Sequence, residues 1–147
     1  MLPLLRANCA ANPGGPWTAA ALDWCDLEAV RAAAGNSAGG GPVGFDLVLA
    51  ADCLYSVGDI QPLVRAAVAL MRRRPRSRFL LARSAWFEDL QPTCVACAEE
   101  MGLSLLSSER VQSVGGGTDS AAAAAGADSE HVDAVVLEFV FISPISS

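Results

Sequence analysis

The stretch FDLVLAADCLYS, residues 45–56, constrains the fold more than any other part of the chain. Its opening run, 45–51, is apolar at both alternating positions apart from Asp46. Side chains of a strand point to opposite faces in turn, so such a run predicts a strand buried on both sides of a parallel sheet. The run ends on Asp52, with Tyr55 three positions on and a Gly58-Asp59 turn signal just beyond.

The segments that follow alternate in type. From Asp59, the residues Ile60, Leu63, Val64, Ala67, Leu70 and Met71 share one helical face, with Pro62 in the first turn and arginines after the last. RFLLAR, 78–83, predicts a short strand, and Phe87, Leu90, Cys94, Cys97 and Met101 repeat at helical spacing until Gly102 stops them. LSLLSSERV and HVDAVVLEFVFI predict two closing strands. Between them, 113–130 is polar and poor in bulky residues, which predicts a flexible low-complexity loop.

Upstream of the opening stretch, LPLLRANCAAN predicts a helix ended by Asn12, Pro13 and Gly14. WTAAALDW, 17–24, predicts a short strand, and DLEAVRAAA predicts a helix with Asp26 at its start. GNSAGGGPVG is a loop. Strands alternating with helices give an α/β fold, a mostly parallel sheet with helices on both faces, within one domain over 1–147. Ligands of such sheets sit beyond the carboxyl ends of the strands, where Asp52 falls.

Composition excludes several classes of function. The net charge of −6 argues against a general nucleic-acid binder, which needs a basic surface to neutralise phosphates. No apolar stretch approaches the roughly 20 residues that span a bilayer, and AVVLEFVFI carries Glu138 in its middle. MLPLLRANCAAN meets Arg6 before a signal-peptide core can form. The 5 cysteines are scattered without framework spacing, which points to a reducing compartment, cytoplasm or nucleus.

Asp52 at a strand end, Tyr55 one turn on and Trp24 in LDW together resemble a known family: the seven-strand S-adenosylmethionine-dependent protein-lysine methyltransferases with an Asp-x-x-Tyr motif, the methyltransferase family 16 type. LPLLRANCAAN is similar to that family's second helix, LDW to the end of its third strand, and FDLVLAADCLYS to its fourth strand and motif. PLVRAAVALMRRRP and RFLLARSAWFEDL match the next helix and strand, and the two closing strands match the antiparallel pair that ends the fold.

The resemblance implies a Rossmann-like methyltransferase sheet, a protein substrate and S-adenosyl-L-methionine as cofactor. It implies that Trp24 packs beside the adenine, that Ala51 lines the cofactor site, and that Asp52 and Tyr55 face the substrate lysine. Methyl transfer from a sulfonium needs a neutral amine held in line, so their task is positioning, and neither need be a strong base. The family's first two strands, its glycine-rich loop and the acidic residue after the second strand have no counterpart in the sequence. The chain therefore resembles the C-terminal portion of such a domain, and weak or absent cofactor binding is expected of it.

A reading of a different class is a non-catalytic α/β interaction module derived from a methyltransferase, using an exposed sheet edge and the arginines of RRRPRSR to bind a protein partner. Other candidates read as structural. Cys94 and Cys97 sit mid-helix with no second pair, which predicts core packing rather than a metal site. His131 has no serine or cysteine placed to form a triad with it. The glycines at 115–117 lie outside any strand-to-helix junction, where a cofactor-cradling loop must be.

Overall fold

The computed structural model describes residues 2–12, 19–35, 44–84, 90–111 and 134–142. In chain order these form helix α1 (Leu2–Ala11), helix α2 (Leu27–Gly35), strand β1 (Leu47–Ala51), a 3-10 turn over Val57–Asp59, helix α3 (Ile60–Leu70), strand β2 (Arg78–Ser84), helix α4 (Gln91–Glu100), strand β3 (Leu103–Val111) and strand β4 (Ala134–Phe141). The expected low-complexity loop at 113–130, His131 and the Phe87 end of the predicted helix lie outside the described residues.

The sheet is mixed, with strand order β1-β2-β4-β3. β1 and β2 run parallel, joined by α3, while β4 lies antiparallel between β2 and β3. One face carries Phe79, Leu81, Leu137 and Phe139, each at most 1% exposed, and the Phe79 and Phe139 rings stack at 5.8 Å. Leu63, Val64 and Ala67 of α3 and Cys94, Cys97 and Ala98 of α4 close over this face in one core cluster. The helical face read from 60–71 is thus the face that packs.

Local chemistry sets the boundaries. The Asp26 carboxylate accepts hydrogen bonds from the Glu28 and Ala29 N–H groups at 3.1 Å each, capping the first turn of α2. Gly44 has φ +104, and a Cβ there would lie 2.8 Å from the Arg72 nitrogen, so the chain enters β1 through a conformation only glycine fills. Gly102, at φ +82, ends the turn after α4 as the sequence predicts.

Two expectations need correction. First, 19–23 is irregular and Trp24 and Cys25 form a turn, so the described part of the predicted 17–24 segment is not a strand. The reason is local: the Asp23 carboxylate accepts a hydrogen bond from the Cys25 N–H at 2.9 Å, and the Asp26 N–H reaches back to the Asp23 C=O at 3.1 Å. A side chain that bonds its own backbone in this way competes with a sheet ladder.

Second, β1 is not a central strand buried on both sides. It is an edge strand, and Leu47 and Leu49 are 50% and 66% exposed. The described helices cover one sheet face, not both: on the other, no described residue of β1, β2 or β4 is buried, and its middle carries the Arg78–Glu138 ion pair at 3.0 Å. Ser107 donates to the second carboxylate oxygen of Glu138 at 3.1 Å. The α/β class stands; the two-sided cover does not. Among the described residues, no helix is long and apolar enough to cross a membrane.

Candidate functional site

β1 runs upward beside β2 and delivers Asp52 to the carboxyl end of the parallel pair. The Asp52 N–H still bonds the Ala82 C=O at 2.9 Å, so the ladder holds up to this residue and the chain turns immediately after it. Asp52 makes that turn at φ +52, the one positive φ at a non-glycine position among the described residues. Left-handed backbone costs an L-residue roughly 1 kcal/mol or more, and aspartate bears it better than most. Strain of this kind concentrates at binding and catalytic positions.

The turn beyond is pinned at three points. The Cys53 thiol lies 3.2 Å from the Ala51 C=O, to which it donates. Leu54 is 2% exposed and belongs to the core cluster, so the segment cannot lift away without opening the core. One Asp59 carboxylate oxygen accepts from the Ser56 N–H at 2.7 Å, the Ser56 hydroxyl at 3.0 Å and the Tyr55 N–H at 3.2 Å. Tyr55 itself is 75% exposed. Burying Leu54 and tying down Ser56 leaves Tyr55 turned outward, three residues after the exposed Asp52.

Ala51 is exposed at the last position of β1, in the same segment. Trp24 is not in that segment. It sits in its own turn, half-buried, and packs against the core cluster that Leu54 also enters. No hydrogen bond or ring contact joins Trp24 to Ala51, Asp52 or Tyr55 among the described residues. Ala51, Asp52 and Tyr55 thus share one exposed segment at the end of β1, and Trp24 comes from a separate turn that packs against the same core cluster as Cys53.

A cofactor such as S-adenosylmethionine presents a charged amino-acid group, ribose hydroxyls and an adenine ring, each needing a partner. Around Ala51 the described residues offer an exposed alanine on a bare face, and the one indole nearby in sequence order is committed to the core. Two clefts formed by described residues, one between α2 and α3 and one along α4, are lined by none of the four candidate residues. The described residues alone do not amount to a cradle for that group.

Two buried features round out this end of the sheet. Arg83 is only 2% exposed, and its guanidinium reaches the Gln91 side-chain oxygen at 3.5 Å while Gln91 donates to the Ser108 hydroxyl at 3.2 Å. Sequence reading passed it over, yet parity signals it: Arg83 follows Phe79 and Leu81 on the core face of β2. Cys94 and Cys97 are both free thiols packed in the core. Burial pushes the Cys94 thiol above its usual range, against an opposing pull from Arg83, and burial likewise raises Cys97. Both are poor nucleophiles at neutral pH.

Compared with protein-family models and with curated proteins, the chain matches none of either.

Proposed function

We propose that the chain is the substrate-facing portion of an S-adenosylmethionine-dependent protein-lysine N-methyltransferase. The observation that carries this reading is Asp52: an exposed carboxylate in a left-handed conformation at the carboxyl end of a parallel strand pair, with an exposed Tyr55 three residues on. The antiparallel pair that closes the sheet also supports it.

In this reading Asp52 attracts the ammonium of a substrate lysine and orients it, and the Tyr55 ring and hydroxyl line its approach. An exposed ion pair contributes at most about 1 kcal/mol, so Asp52 steers the amine rather than holding it tightly. The amine must then lose its proton and its water before it can react, and water is excluded only in a closed site. Tyr55 and Asp52 are open to solvent here, and the described residues form no cofactor cradle. Weak or absent cofactor binding is what the resemblance leads us to expect, because the family's glycine-rich loop has no counterpart in the sequence. Leu47 and Leu49 are exposed on the face of β1 that no described helix covers.

Calorimetry with S-adenosylmethionine tests this. The chain alone is expected to give no binding heat, and an extended chain carrying the first two strands and glycine-rich loop of a family 16 methyltransferase at its N-terminus is expected to bind. An extended chain that also fails to bind sinks the reading.

A second reading has one observation in its favour. The free edge of β1, flanked by Leu47 and Leu49, fits a non-catalytic module that accepts an extended strand from a protein partner. Cofactor binding by the chain alone would count against it.

A further inference from the structure

A cleft of about 330 Å³ opens between α2, α3 and the turn that follows α4. Three arginines line it: Arg31 from α2, Arg65 from α3 and Arg73 from the loop after α3. Its apolar wall comes from Val68, Met71 and Met101 among others, and no carboxylate lines it among the described residues. The cleft lies away from Asp52. Met71 pairs with Phe45, below the start of β1, and Met101 precedes Leu103, which pairs with Phe141 at the Arg78 end of the sheet. Asp52 sits at the other end, beside Ala82.

In a chain of net charge −6, three guanidinium groups around one cleft require an explanation. Surface arginines commonly sit beside carboxylates, as Arg72 does with Asp46 at 2.7 Å and Arg78 with Glu138 at 3.0 Å. Arg31, Arg65 and Arg73 have no carboxylate within ion-pair distance among the described residues. Arg73 is held instead over the Phe141 ring, 5.6 Å from its centre, which fixes the guanidinium at the cleft without neutralising it. Bringing three like charges to one concave surface is unfavourable until an anion joins them.

We propose that this cleft binds a phosphomonoester carried on an apolar group. A phosphate dianion brings close to two negative charges and three acceptor oxygens, and each guanidinium can meet such oxygens with two parallel N–H donors. A carboxylate has one charge and two oxygens, which would leave most of the positive charge unanswered. Val68, Met71 and Met101 suit the apolar group, since methionine adapts its shape and makes favourable contacts with aromatic rings. The site is independent of the methyl-transfer reading and survives its failure.

The test is a titration of the full chain, labelled at its methionine methyl groups, with phenyl phosphate at constant ionic strength, read by NMR. The Met71 and Met101 signals are expected to move along a saturable curve. Arg65→Gln and Arg31→Gln, both at exposed positions that leave the core intact, are each expected to weaken binding by about tenfold, the loss of one charge-assisted pair. Arg74→Gln, outside the cleft, is expected to leave binding unchanged. Inorganic phosphate is expected to bind more weakly than phenyl phosphate. Absence of a saturable shift at Met71 and Met101 would overturn the proposal, as would equal binding by the Arg65→Gln and Arg31→Gln variants, or inorganic phosphate binding as tightly as phenyl phosphate.

Discussion

One carboxylate oxygen of Asp59 holds the Ser56 N–H at 2.7 Å and the Tyr55 N–H at 3.2 Å, so the residue just before α3 fixes the turn that presents Tyr55. Removing it is expected to free the turn while the core stays closed. Asp59→Ala should lose about 1–2 kcal/mol of stability, as removal of a charged acceptor does, and Asp59→Asn, which keeps an oxygen, should lose less. Urea denaturation measures both, and a stability unchanged in Asp59→Ala would show that Cys53 and Leu54 hold the turn without it.

Asp52 carries its left-handed backbone at some cost, and glycine removes that cost. Asp52→Gly is expected to stay within about 1 kcal/mol of the parent in stability, because relief of strain offsets the greater flexibility of glycine. Asp52→Val, whose branched Cβ crowds the following carbonyl, should lose about 1–2 kcal/mol. Thermal unfolding of the two variants separates strain from side-chain function: the glycine variant keeps the fold and loses the carboxylate.

The bare face of β1 predicts an asymmetry between neighbours on the sheet. Leu49, 66% exposed, should accept Leu49→Lys with a stability change within about 0.5 kcal/mol, and self-association at high concentration should fall. Leu81, fully buried on the opposite face, should lose about 2–5 kcal/mol as Leu81→Ala. Sedimentation and urea denaturation together check the pair; a large loss in Leu49→Lys would mean that this face is covered.

The buried thiols predict a fall in stability at alkaline pH. Their folded values lie above the usual value of 9.0, so the folded chain keeps protons that the unfolded chain releases. The contribution is fully present below pH 9.0 and is lost as pH rises through the folded values. Comparing denaturation midpoints at neutral and alkaline pH should show a smaller fall in the Cys94→Ala, Cys97→Ala double variant than in the parent. Equal falls would place the alkaline sensitivity elsewhere.

Much of the fold was legible because periodicity records which side of an element packs. The 60–71 face, the capping role of Asp26 and the stop at Gly102 all follow from local chemistry that needs no partner. The position of β1 did not follow, because an unbroken apolar run reports what side chains could bury and not what the described chain supplies to bury them. Leu47 and Leu49 read as core and stand in the open. Trp24 misled for the opposite reason: an aspartate one residue earlier bonds the backbone locally, and a turn replaces the expected strand. Of the candidate site, Asp52 and Tyr55 were readable from one motif, whereas the outward aim of Tyr55 depends on Leu54 and Asp59, and the arginine cleft joins residues from three separate segments.

The proposed methyl transfer is read most directly by extending the chain with the first two strands and glycine-rich loop of a family 16 methyltransferase and incubating it with protein extract and methyl-tritiated S-adenosylmethionine. Mass spectrometry then maps the labelled residue. The expected result is label on the Nζ of a lysine, falling by about fivefold in Asp52→Ala, the loss of one exposed ion pair. An extended chain that binds the cofactor yet labels no lysine, or an Asp52→Ala variant that labels as well as its parent, would contradict it.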